Sequence, residues 1–157
     1  MPKQLINLMS KGIVMAQTVD EAFSQMSLYS DEVLYVLIKL PANAVMAAAG
    51  VVAEWREAFC CLIIDKDEVT LLLPERAFET FAERLPGHLV AKVRYRLITF
   101  DIPLDLSMIG FMARVSSALA EANVSILPYA AYTRDHIFVH ADAFDAAWTT
   151  LQQLQNI

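Results

Sequence analysis

Residues Ile109–Val139, IGFMARVSSALAEANVSILPYAAYTRDHIFV, write out a helix, a strand, a turn and a second strand in that order. From Gly110 onward, Phe111, Val115 and Leu119 recur at four-residue spacing with Met112, Ala118 and Ala122 beside them, while Arg114, Ser117 and Glu121 fall on the other side. That period predicts a helix with one face in the core. Asn123 stands where helices commonly end in a left-handed residue. Val124 and Ile126 then alternate with Ser125 ahead of an apolar run to Tyr129, which is the two-residue period of a strand. Thr133, Arg134 and Asp135 form a short polar interruption, and Ile137, Phe138 and Val139 supply the residue types of a second strand, so a hairpin is expected. Asp142 reads as the N-cap of a closing helix, with Asp145 in its first turn and Phe144, Trp148, Leu151 and Leu154 at helical spacing.

The same grammar recurs upstream. Phe59 to Ile64 reads as a strand, Asp65 to Glu68 as a polar turn, Val69 to Leu73 as a second strand, and Pro74 as the first residue of a helix carrying Phe78, Phe81 and Leu85. Before it, Val33 to Leu40 resembles a buried strand and Ala42 to Arg56 a helix, against which Gly50 and the Val51-Val52 pair count. Leu89 to Phe100 carries the chain from the first unit into the second. The fold expected is α+β, two ferredoxin-like βαββαβ units in tandem, with antiparallel sheets and helices on one face. The units are placed at residues 30–94 and 95–157, after an N-terminal arm of residues 1–29. In that arm Thr18 and Glu21 suggest a capping box for a short helix through Met26, and whether the arm adds a strand or covers an interface stays open.

Composition narrows the function. The 157 residues are 57% hydrophobic and 19% charged, high in apolar content for a soluble protein, so a homodimer that hides the excess is expected. The longest uncharged stretch, Leu40 to Ala53, is too short to span a bilayer and contains Pro41, Asn43 and Gly50. Lys11 interrupts the early apolar run, which argues against a signal sequence, and a cytoplasmic location with no membrane partner is expected. A net charge of -6 argues against nucleic acid as a partner. The one basic cluster, Lys92, Arg94 and Arg96, reads as the solvated face of a strand. Cys60 and Cys61 are adjacent, point to opposite faces of a strand, and read as two buried thiols.

Catalytic and metal chemistry find little support. His136 and His140, with Asp135 and Asp142 nearby, suggest a metal pair only on a helix; on a strand they stand about 13 Å apart, too far for one ion. No metal and no cofactor are expected. The four glycines, Gly12, Gly50, Gly87 and Gly110, are scattered and form no phosphate loop, and Glu54, Glu57 and Asp101 occur singly. What remains is a binding feature. Leu106-Ser107-Met108-Ile109-Gly110 precedes a helix N-terminus, where free backbone N–H groups and the helix dipole favour an anion such as an α-carboxylate. Gly110 allows close approach to the backbone, and Asp135 in the hairpin turn offers the complementary charge for an α-ammonium group. The plainer reading is that Gly110 merely starts a helix and Asp135 merely serves the turn.

Taken in order, these motifs resemble a known family. IGFMARVSSALAEANVSILPYAAYTRDHIFV is similar to the second unit of small tandem ACT-domain proteins, and EWREAFCCLIIDKDEVTLLLPE, from Glu54, to the partner half, a likeness running over residues 54–150. The family includes bacterial proteins without an assigned role and the eukaryotic cytosolic arginine sensors. The resemblance implies side-by-side units with an amino acid bound at an interface between them. It implies a ligand contacted by Ile109, Gly110 and the loop that also holds Ser107, by the hairpin aspartate Asp135, and by Tyr132 at the aromatic position. Two departures stand out: the small hydroxyl pair of the family hairpin is Ala130-Ala131 here, and the threonine before the aspartate is Arg134. Hydrogen bonds worth about 1 kcal/mol each are thereby lost, enough to change which amino acid is preferred. The expected role is a non-enzymatic, amino-acid-binding regulatory module that also contacts a regulated protein. The alternative, favoured by Ala130-Ala131, is an ACT-fold interaction module without a small-molecule ligand.

Overall fold

The computed structural model describes residue 16, residues 18–57 and residues 59–155. The reading of Lys11, Gly12 and most of the N-terminal arm lies outside these residues. Within them the chain separates into two compact units. A central unit is built from residues 31–97 with 140–142, and a terminal unit from residues up to 30, 98–139 and 143 onward.

The central unit begins with β2 (Tyr35–Pro41), following α1 (Val19–Gln25) and β1 (Ser27–Tyr29) of the terminal unit. After β2 come a 3-10 turn at Ala42–Ala44, α2 (Val45–Glu54), β3 (Cys61–Ile64), β4 (Glu68–Pro74), α3 (Glu75–Phe81) and β5 (Leu89–Val90). All pairings are antiparallel, in the order β5-β2-β4-β3. Alternation does the sorting: Val36, Ile38 and Leu40 of β2 and Val69, Leu71 and Leu73 of β4 send their side chains to one face, where Ala48 and Val51 of α2 and Ala77 and Phe81 of α3 close over them. Gly50 does not interrupt α2, because Ala48 and Val51 on either side of it are fully buried and tertiary packing outweighs its low helix propensity. Pro74 occupies the N-cap position and the helix starts one residue later than expected.

The terminal unit is assembled from β6 (Tyr95–Asp101, of which residues 98–101 belong here), α4 (Phe111–Glu121), β7 (Ile126–Ala130), β8 (Asp135–His140) and α5 (Phe144–Leu154). Its remaining strand is β1, which lies antiparallel on β6 with Leu28 opposite Phe100. The order is β1-β6-β8-β7, which matches the central unit in space, but the edge strand beside β6 comes before the other three in the chain, where β5 comes after. The N-terminal arm therefore adds a strand. Ahead of it, Thr18 and Glu21 form the expected capping box at the start of α1. Phe23 of α1 stacks on Phe111 of α4 with ring centroids 4.8 Å apart, and the Gln155 amide donates to the Met26 carbonyl at 2.6 Å. Each unit thus has an antiparallel sheet with helices on one face, the ferredoxin-like arrangement of the ACT type.

Several local expectations change. Asp142 caps nothing: residues Ala141–Ala143 wind into a 3-10 turn, and Ala143 takes the N-cap position of α5 without a side-chain bond. The passage from Leu89 to Phe100 holds the short β5 and most of β6. Lys92 and Arg94 precede β6, so they do not share a strand face with Arg96, and Arg94 pairs with Glu75 at 2.5 Å. Glu54 and Asp101 are likewise ion-paired, with Arg84 and Arg134. Cys60 lies outside β3, and both thiols are half-buried and free. Burial, and then the neighbouring Cys61, pushes the Cys60 thiol up to about 11, so it is a poor nucleophile at neutral pH.

Candidate functional site

Gly110 sets the geometry of the site. It takes φ 100°, the left-handed region, and turns the chain from the loop after β6 into α4. Among the described residues no side chain caps this helix, and the N–H groups of its first turn have no carbonyl partners within the helix. Ahead of it, the side chain of Asp105 accepts from the Ser107 N–H at 2.8 Å and from the Ser107 hydroxyl. These bonds, the hydroxyl first, hold the Asp105 carboxyl below the usual carboxylate range, so it is ionised. The loop is tied to the β7–β8 hairpin by the Leu104 N–H, which donates to the Thr133 carbonyl at 2.9 Å.

Between loop, helix start and hairpin lies a cleft of about 230 Å³. Its lining includes Asp105, Gly110, Met112, Tyr132, Arg134 and Asp135. Of the residues singled out from the sequence, Gly110, Tyr132 and Asp135 are brought together here. Ser107 and Ile109 are not among the lining: Ser107 backs Asp105, and Ile109 projects into solvent with 91% of its surface exposed. Asp135 opens β8 opposite Ala130 and is half-buried. Burial lifts its carboxyl above the ordinary range, since no ion pair within the described residues offsets the lost hydration. Arg134 points its Nε at Asp101, 2.7 Å away. Asp105 was missed from the sequence, although its spacing to Ser107 is the signature of a side-chain-closed turn.

His136 and His140 lie outside the cleft lining. His136 Nδ1 lies 2.9 Å from the buried Thr99 hydroxyl, and burial followed by the Arg134 charge lowers its pKa. The His140 ring packs edge-on to Tyr95 at 5.4 Å. Among the described residues no group of three His, Cys, Asp or Glu side chains is arranged to hold a metal ion, and no helix is long and apolar enough to cross a membrane.

Residues 90–153 match the family model of the ACT domain. That span contains the cleft. No curated protein matches the sequence. Among solved structures, a protein of unknown function from Vibrio cholerae superposes with a TM-score of 0.68 at 20% identity, covering 87% of this chain and 95% of that one. The ligand-free regulatory subunit of aspartate kinase from Thermus thermophilus gives 0.60 at 11% identity, over 82% and 97%. Aspartate kinase from Clostridium acetobutylicum gives 0.63 at 11% identity, over 83% of this chain and 34% of that one. At such identities the likeness establishes the fold alone, a ferredoxin-like arrangement of the ACT type.

Proposed function

We propose that this chain is a tandem ACT-type regulatory module, with units at residues 30–94 and 95–157 completed by the N-terminal arm, that binds a free amino acid and performs no catalysis. The observation that carries this reading is the cleft itself: a space of about 230 Å³ with helix N–H groups at one end and, on its wall, the carboxylate of Asp135, which has no ion pair among the described residues. Drug-sized ligands need about 300 Å³ or more, so the space suits a single small zwitterion. Its carboxylate would accept from the first turn of α4, where the helix dipole adds to the hydrogen bonds. Its ammonium would sit against the half-buried Asp135 and supply its carboxylate with a counter-charge. Backbone positions opened by Gly110 permit the approach.

Exposed apolar side chains surround this opening: Leu106 at 73%, Tyr132 at 66%, and Ile109. Such a rim favours a covering surface. In this proposal an ACT unit of a second copy closes the cleft, which makes the protein a homodimer with the ligand at an interface between units and accounts for the exposure of Ile109. The same rim supports the second reading, a protein-interaction module in which the regulated partner docks there and no small molecule binds. A thermal-shift screen of the twenty amino acids separates the two. Ligand present at 100 times its Kd adds about 2.7 kcal/mol to stability. A flat response to all twenty, with no binding by calorimetry, removes the amino-acid reading.

A further inference from the structure

Ahead of Ala16 lies a segment whose chemistry complements the rim of the cleft. Residues 1–15 carry Lys3 and Lys11 and no carboxylate, in a protein of net charge -6. Leu5, Ile6, Leu8 and Met9 have the spacing that on a helix gathers on one face, with Pro2 before them and Gly12 after. The rim offers the opposite partners. Leu106, Ile109 and Tyr132 are exposed apolar side chains, and Asp105 and Asp135 have no ion pair among the described residues.

The point of attachment brings the segment to this surface. Ala16 is buried and forms a parallel bridge with Leu104, the residue before Asp105 and part of the cleft lining. Three residues later, a Val19 methyl lies 3.8 Å from where a Cβ on Gly110 would stand. The chain just after the segment thus touches the loop near both of its ends, and the Leu104 N–H donates to the Thr133 carbonyl, next to Tyr132. From that edge, a segment that can extend about 3.3 Å per residue reaches across the rim. A tethered segment acts at an effective concentration on the order of millimolar, so contacts too weak to hold a separate peptide suffice. We propose that residues 1–15 fold back over the rim of their own chain as a strap, the Leu5–Met9 face against Leu106, Ile109 and Tyr132, and Lys3 or Lys11 beside Asp105. The strap competes with the second copy and with the amino acid for this surface, and the cleft opens when it lifts. That competition rests on the reading of the cleft as an amino-acid site, whereas the docking of the strap does not.

The test is zero-length cross-linking of the ligand-free full chain with a carbodiimide, which joins a lysine amine to a neighbouring carboxylate as an amide. Unlabelled and isotopically labelled copies are mixed beforehand, and the joined peptides are identified by mass. Amides from Lys3 or Lys11 to Asp105 or Asp135, each within one copy, are expected. Mixed pairs would put the segment on a second copy, and lysines joined only to other carboxylates, or to none, would leave the rim uncovered; each of these overturns the strap. Hydrogen exchange reads the apolar half of the contact. The full chain carrying Leu5→Ser, Ile6→Ser, Leu8→Ser and Met9→Ser keeps every described residue. Its amides in 106–110 and 131–133 should exchange about tenfold faster than in the wild type, the effect of freeing one apolar side chain. Unchanged exchange overturns the contact. A thermal-shift screen of the twenty amino acids on the same variant reads the competition: a larger shift than in the wild type supports it, and an equal shift removes it. A flat screen for both proteins takes away the amino-acid reading, and the cross-links alone then decide the strap.

Discussion

The ring of Phe23 lies parallel to that of Phe111 with centroids 4.8 Å apart and an interplanar angle of 23°, so α1 is fastened to the first residue of the helix that opens the cleft. Arg114 adds to the same contact, its guanidinium carbon 4.7 Å from the Phe23 centroid and its NH1 2.8 Å from Asp20. Phe23 is 2% exposed. Phe23→Ala should therefore cost about 3–5 kcal/mol of stability, measured by urea denaturation, and a loss below about 1 kcal/mol would mean that α1 is only loosely held.

Thr18→Ala removes one half of the capping box while leaving every core contact in place. The expected loss is about 1 kcal/mol, several times smaller than for Phe23→Ala, by the same measurement. Equal losses in the two variants would show that α1 is held by its cap and not by its apolar face.

Gly110→Ala tests backbone geometry apart from crowding. A Cβ there would meet nothing nearer than a Val19 methyl at 3.8 Å, yet φ is 100°, where side chains are strained. We expect a stability loss of about 1–3 kcal/mol in the absence of ligand. Gly110→Val should in addition block approach to the helix N–H groups, and binding of the amino acid found by screening should fall further than in Gly110→Ala.

Asp135 carries a pH signature. Its carboxyl is raised by burial, so the folded state holds this proton more tightly than the unfolded chain, and stability falls as pH rises from the ordinary carboxylate range through the raised value. Asp135→Asn removes that penalty. The ligand-free variant should be more stable than the wild type at neutral pH, with the difference vanishing on acidification, as followed by thermal melting from pH 3 to 7. Amino-acid affinity should move the opposite way, dropping about tenfold in the variant and also in the wild type once Asp135 is protonated. Unchanged affinity in the variant would take Asp135 out of the site.

Much of the fold can be read without coordinates where local and tertiary forces agree. The change from four-residue to two-residue period at Asn123 marks the end of α4, and Asn123 does adopt φ 58°. The capping box at Thr18 was legible for the same reason, because the signal and the structure lie within four residues. β1 was not, since Ser27–Tyr29 is three residues long and is a strand only because β6 lies beside it. Asp142 misled because a capping residue and the first residues of a 3-10 turn draw on the same amino acids. In the cleft, Gly110 and Asp135 stood out by position, whereas Asp105 became visible only when the Leu104–Thr133 bond placed its loop against the hairpin.

The Gln155 amide that donates to the Met26 carbonyl joins segments from opposite ends of the sequence within one unit. As the chain leaves the ribosome, the central unit has nearly all of its residues by Leu97, while α1 and β1 must wait for α4, β8 and α5. Until those arrive, the apolar faces of Phe23 and Leu28 have no partner. The order of synthesis thus separates the parts of the unit that holds the cleft, and its completion is a long-range closure across the residues of the central unit.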